Sequence, residues 1–129
     1  MQRANITFGA PFLENRYWKA IDACALGADL DQLADGDSTL IGEKGVNISG
    51  GQKARIALAR ATYRCADVVL LDDVLAAVDV HVGEHLIHEC ITGSLSRSTR
   101  VLVTNSLAVL PFADKIIALD DATVLRVAT

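Results

Sequence analysis

Val46-Asn47-Ile48-Ser49-Gly50-Gly51-Gln52-Lys53-Ala54-Arg55-Ile56-Ala57-Leu58-Ala59-Arg60-Ala61 is the stretch around which this chain is organised. Two glycines follow a serine, and a helix-period sequence begins at once, with no glycine or proline until Gly83. Ser49 and Gln52 fit an S-x-x-Q capping box, in which the serine hydroxyl takes a first-turn N–H and the glutamine reaches back. A helix start presents unpaired N–H groups and the positive end of the macrodipole, so it suits an anion. Gly50 and Gly51 carry no Cβ to hold a phosphate off the backbone. An ordinary capped helix has the same pattern, and capping alone favours that plainer reading.

The composition bounds what such a helix can belong to. The 129 residues are 51% hydrophobic and 22% charged, which suits one globular domain with a real core and not two. A net charge of -4 argues against a nucleic-acid partner, which needs a basic patch. Arg55, Arg60 and Arg64 fall on one side of the helix and read as a solvated stripe. No apolar run approaches the ~18 residues of a membrane span, and the start lacks a signal peptide's apolar core. A membrane role must then come through a partner or another part of the same polypeptide. Cys24, Cys65 and Cys90 are odd in number and widely spaced, which suits reduced thiols in a cytosolic compartment.

Before the glycine pair the chain reads as helical. Asn5-Ile6-Thr7-Phe8-Gly9 is a short apolar piece closed by Gly-Ala-Pro. A helix is predicted from Leu13 to Leu26, with Tyr17, Ile21 and Cys24 on one face and Gly27 ending it. Asp29 to Leu33 fits a second short helix stopped by Asp35-Gly36-Asp37, and Thr39 to Gly45 a glycine-punctuated loop.

After it the period changes. Val68-Val69-Leu70-Leu71 is a continuous apolar run ending in Asp72-Asp73, the pattern of a strand buried on both faces. A helix spanning His81 to Leu95 follows, then strands at Arg100–Thr104, Lys115–Leu119 and Thr123–Val127, with a helical turn near Leu107–Leu110. Strand–helix–strand alternation implies a parallel sheet with crossovers, an α/β fold. Such folds place ligand chemistry at the carboxyl edge of the sheet, where Asp72 and Asp73 stand. A carboxylate there can hold Mg²⁺ beside nucleotide phosphates.

Ile48-Ser49-Gly50-Gly51-Gln52, continued by Lys53, Arg55 and Ala59-Arg60-Ala61, resembles the L-S-G-G-Q signature of ABC ATPases, with Ile for Leu. Four apolar residues and Asp72 resemble the Walker B strand, and Ala76-Ala77-Val78-Asp79 the D-loop. Asn5-Ile6-x-Phe8-Gly9, Pro11-Phe12, Tyr17, Gly36-Asp37 and Ile41-Gly42-Glu43-x-Gly45 resemble the first nucleotide-binding domain of the multidrug-resistance-associated (C) subfamily. The resemblance runs from about Asn5 to Leu119. It implies an ABC-type P-loop NTPase fold with ATP and Mg²⁺ as cofactors. Residues of about 10–64 would form the helical subdomain, and about 65–129 the later part of the α/β core.

The resemblance also assigns roles. Ser49, Gly50, Gly51 and Gln52 would contact nucleotide, with Asp79 lining the interface between two nucleotide-binding domains. Asp72 would hold magnesium, and Asp73 occupies the general-base position, usually glutamate. One methylene less withdraws the carboxylate from the attacking water, and misplacement on the order of 1 Å can cost ~100-fold in rate. Asn105 stands where the family's switch histidine should follow Thr104, and asparagine cannot take up a proton. Ala76 replaces the usual D-loop serine. Asp73 and Asn105 together resemble the weakened site of an asymmetric transporter. The partners implied are a second nucleotide-binding domain, packed head to tail, and the transporter's transmembrane domains, with the chain on the cytosolic face of a membrane.

A P-loop needs G-x-x-x-x-G-K-[ST], and this sequence has no Gly-Lys dipeptide. In the family that motif precedes everything present here, so the chain is expected to be a partial domain: a fragment, a truncated gene model or a degenerate paralogue. Alone it is expected to turn over no ATP. A non-catalytic nucleotide-binding or regulatory module is the alternative. A further rival is a zinc hydrolase, because His81-Val82-Gly83-Glu84-His85 matches H-x-x-E-H and His88 adds an imidazole. No glutamate follows Glu89 to complete that set, and Gly83 loosens the helix that must hold it.

Overall fold

The computed structural model describes residues 2–40, 48–121 and 123–128. Helix α1 (Gln2–Thr7) is followed by α2 (Glu14–Ala23), α3 (Gly27–Asp31) and a single 3₁₀ turn at Gly36–Ser38. The long helix α4 (Gly50–Arg64) leads into strand β1 (Val68–Asp72). Helix α5 (Val80–His85) then runs on directly as a π-helical segment, Leu86–Ser94. Strand β2 (Thr99–Val103), a 3₁₀ segment at Leu107–Phe112, and strands β3 (Ile116–Asp120) and β4 (Thr123–Ala128) complete the order. The loop expected over Thr39 to Gly45 falls mostly outside the described residues, as do Ile41, Gly42, Glu43, Gly45, Val46 and Asn47.

The core is where helices meet one face of β1. Tyr17, Ile21 and Cys24 of the α2 region, Leu58, Ala59 and Tyr63 of α4, and Leu86, Ile87, Cys90 and Ile91 of the π segment are buried together with Val69 and Leu71. Tyr63 ties α4 to the start of α2: its hydroxyl donates to the Pro11 carbonyl and accepts the Leu13 N–H at 2.9 Å. Arg3 on α1 grips the buried Asp37 carboxylate at 2.8 and 3.1 Å.

Several expectations change in detail. Helix α2 ends earlier than Gly27: Ala25 takes a left-handed φ of 51° and breaks the helix, while Gly27 opens α3. The helix expected from His81 to Leu95 is present but more than half of it, Leu86–Ser94, is wound as a π-helix, where each residue bonds the fifth before it. Gly93 permits this, since a Cβ there would lie 2.8 Å from the His88 carbonyl oxygen. The wider winding turns Leu86, Ile87, Cys90, Ile91 and Leu95 inward together.

The sheet departs further. β1 and β2 pair in parallel, Val68 opposite Thr99 and Asp72 opposite Val103. β3 and β4 instead form a separate antiparallel hairpin, because the two strands follow one another too closely for a crossover helix. Nor is β1 buried on both faces. Val69 and Leu71 point into the core, but Leu70 is 76% exposed on the other side, where no described element packs. No helix of the described residues is long and apolar enough to cross a membrane.

Candidate functional site

The capping box forms as the sequence predicts. Ser49 Oγ accepts the Gln52 N–H at 3.1 Å, and Gln52 Oε1 accepts the Ser49 N–H at 2.8 Å. The Ser49 carbonyl takes the Lys53 N–H at 3.0 Å. That leaves the Gly50 and Gly51 N–H groups of the first turn without a partner among the described residues, at the positive end of a 15-residue helix.

The two glycines then differ. A Cβ on Gly50 would meet nothing within 4 Å, so that side of the turn is open. A Cβ on Gly51 would lie 2.6 Å from the Ala77 carbonyl oxygen. The absence of a side chain at Gly51 thus lets the segment after β1 press against the start of α4. Two motifs far apart in sequence are joined there by backbone contact.

Asp79, two residues beyond Ala77, caps α5. Its Oδ1 accepts the Val82 N–H at 3.0 Å, and this hydrogen bond lowers its pKa from the ordinary 3.8. The turn that delivers it starts at Asp73, whose N–H donates to the Val103 carbonyl at 2.9 Å and whose carbonyl accepts the Ala76 N–H at 3.1 Å. Asp73 has φ +48°, the left-handed region, which aspartate tolerates better than longer side chains. Because β1 and β2 are parallel and in register, Asp72, Asp73, Thr104 and Asn105 all sit at the carboxyl edge of one two-stranded sheet. Asp72, Asp73 and Asn105 are exposed there. Thr104 Oγ1 accepts the Ser106 N–H at 3.0 Å, shaping the turn that carries Asn105.

A cluster unseen in the sequence stands behind the signature turn. Asp29 Oδ1 accepts from Gln52 Nε2 at 2.8 Å, and Asp29 Oδ2 pairs with Arg55 at 2.5 Å. Arg55 also donates to the Ala25 carbonyl. The arginines are therefore no simple solvated stripe. Arg55 is mostly buried, and Arg60 donates to the Asn5 carbonyl and side chain and lies over the Phe8 ring at 4.8 Å, while Arg64 is exposed. Only long-range contact brings Asp29 to Gln52, and no local pattern marks it.

The histidines do not assemble. His85 Nε2 lies 2.8 Å from the Asp22 carbonyl oxygen, and His88 packs edge-on to Phe112. Among the described residues no three His, Cys, Asp or Glu side chains are placed to share a metal. Cys24 and Cys90 are buried with sulfurs 3.8 Å apart, and no cysteine is disulfide-bonded.

A mixed α/β chain in which a glycine-rich capped helix start meets the turn after an Asp-ended strand belongs to a known class. Residues 7–76, more than half of the chain, match the family model described as ABC transporter, and the chain belongs to that family. Its relatives place it with the ATP-binding domains of the C subfamily. It is 51% identical over 124 residues to ATP-binding cassette sub-family C member 2 of Homo sapiens, covering 95% of this chain and 8% of that protein. It is 54% identical over 119 residues to multidrug resistance protein mrp-7 of Caenorhabditis elegans, covering 91% of this chain and 8% of that protein. Over 117 residues it is 50% identical to the oligomycin resistance ATP-dependent permease YOR1 of Saccharomyces cerevisiae, covering 91% and 8% respectively. The chain thus spans less than a tenth of the length of these relatives.

Proposed function

We propose that this chain is part of the first nucleotide-binding domain of an ABC exporter of the C subfamily, with the P-loop NTPase fold, its helical subdomain at about 10–64 and later core at about 65–129. The parent would couple ATP binding and hydrolysis to export of organic anions, conjugates or drugs, from the cytosolic face of a membrane. The observation that carries this reading is the signature turn. Two amides without a partner among the described residues and a serine hydroxyl stand together at an open helix N-terminus, a donor set that fits a terminal phosphate.

The residues of this chain divide the work between two sites. Ser49, Gly50 and Gly51 offer donors to the γ-phosphate of a nucleotide held by the P-loop of a second domain packed head to tail. Gln52 has its carboxamide engaged at both ends by Ser49 and Asp29, so it holds the turn in shape. Asp79 fixes the start of α5 at the interface between the two domains.

At the other site, Asp72 supplies a carboxylate for Mg²⁺, which keeps several waters and so needs few protein oxygens. Bound there, the ion and ATP would supply the electrophilic phosphoryl group and neutralise its charge. Asp73 would orient and deprotonate the attacking water, and Asn105 would hydrogen-bond the γ-phosphate as a neutral donor. No Gly-Lys dipeptide is present to make a P-loop, so this site takes its phosphate cradle from residues outside this sequence.

The test uses the full-length protein in inside-out vesicles. ATP-dependent uptake of an anionic conjugate is expected, together with the absence of ATP turnover by this chain alone. Clear turnover by the chain alone, or uptake indifferent to ATP, overturns the reading.

A further inference from the structure

Asp29 stands 23 residues before Gln52 and 26 before Arg55, on a different helix, and divides its two carboxylate oxygens between them. The arrangement fixes the Gln52 side chain in one sense. Its carbonyl end must face the Ser49 N–H, a donor, and its amino end must face Asp29, which has only acceptors. Arg55 holds Asp29 in place from behind and reaches on to the Ala25 carbonyl, closing the turn between α2 and α3. Both members of the ion pair are largely shielded, with side-chain exposures of 12% and 16%, so solvent does not easily replace the contact.

We propose that Asp29 is a positioning residue for the anion-gripping start of α4: acting through Gln52, it sets Ser49 and the Gly50 and Gly51 amides, and it links that grip to the α2–α3 turn. The inference rests on the reading of the signature turn given above. Without Asp29 the Gln52 carboxamide keeps one anchor of two and is free to rotate. The Ser49 backbone then loses its fixed partner, and the hydroxyl and amides that depend on it drift. A displacement of about 1 Å at such a site costs up to ~100-fold in rate.

The test measures ATP turnover against ATP concentration, together with thermal unfolding, in the full-length protein carrying Asp29→Ala, Gln52→Ala or both. Each single change is expected to lower kcat roughly 10- to 100-fold. Photolabelling by an ATP analogue under non-hydrolysing conditions should be unaffected, because the P-loop holds the resting nucleotide. The double variant should be no slower than the slower single one, since both act along one path. Asp29→Asn keeps an acceptor toward Gln52 but gives up the ion pair with Arg55, so it should melt below wild type while turning over faster than Asp29→Ala.

If Asp29→Ala does not fold, Gln52→Glu carries the test. Its carboxylate would face the Asp29 carboxylate, with the Arg55 guanidinium and Ser49 N–H as the other charged and polar neighbours. Repulsion raises its pKa, so its deficit relative to wild type should shrink as pH falls from about 8 to about 6. Full kcat per folded molecule in Asp29→Ala, additive losses in the double variant, or a pH-independent Gln52→Glu deficit overturns the proposal. Ser49→Ala separates the two layers. If it slows turnover while Asp29→Ala does not, only this inference fails; if it too is silent, the signature reading fails with it.

Discussion

Gly51→Ala probes the contact on which the geometry of the site turns. The new Cβ would lie 2.6 Å from the Ala77 carbonyl oxygen, and ordinary contact begins at 3.4 Å. The loop after β1 must therefore retreat by about 0.8 Å, because the opposing atom is backbone and cannot rotate away. Overpacking of this kind costs about 1–3 kcal/mol, while alanine in place of glycine in a helix returns roughly 0.5–1 kcal/mol. The net expectation is a loss of up to about 2.5 kcal/mol. Gly50→Ala, with nothing within 4 Å, is the control and should keep or gain up to about 1 kcal/mol. Thermal unfolding of the two variants in the full-length protein reads the difference directly. Equal melting temperatures in the two variants would refute the Gly51–Ala77 contact and the reasoning built on it.

Three further outcomes follow from the same geometry. Asp73→Glu with Asn105→His in the full-length protein should raise hydrolysis at the weak site, measured in single-site assays, although glutamate is less at ease than aspartate at φ +48°; unchanged turnover counts against both assigned roles. A thiol reagent should modify exposed Cys65 at once and leave Cys24 and Cys90 intact until unfolding, since both are fully buried, and at Cys24 the hydrogen bond donated to the Cys90 sulfur and the burial also raise the pKa; early labelling of Cys24 in a mass-spectrometric time course would contradict the core packing. The Asp79 cap, whose pKa is lowered, contributes fully above 3.8 and is lost as pH falls from there through the lowered pKa. Hydrogen exchange of α5 should therefore stay protected to about pH 4 and weaken below it, and protection lost already near pH 5 would exclude the cap.

Much of this architecture was legible in local sequence, and the parts that were not share a cause. The Ser49–Gln52 box, helix α4 and strands β1 and β2 carry their signals within a few residues, and all four stand where the pattern puts them. The Asp29–Gln52–Arg55 cluster has no such signal, because it depends on how α3 packs against α4. For the same reason Arg55 read as solvated: a charged residue at helical spacing shows its exposed side unless its partner is known. The π-wound stretch was hidden because 3.6-residue periodicity cannot register a turn that bonds to the fifth residue. The continuous apolar run of β1 suggests burial on both faces, yet Leu70 has no described neighbour on its side. Motifs single out Asp72, Asp73 and Asn105; what the fold adds is the parallel register that brings Asn105 to the edge where the two aspartates stand.

The central claim is that the turn at Ser49 grips a terminal phosphate delivered by another domain. The direct measurement is a structure of the full-length protein trapped with ATP and Mg²⁺ by a substitution of the general base at the site this turn completes. Ser49 Oγ and the Gly51 amide within hydrogen-bonding distance of a γ-phosphate bound to the opposing P-loop is the result this account predicts. A signature turn facing solvent, with the triphosphate bound elsewhere, would contradict it.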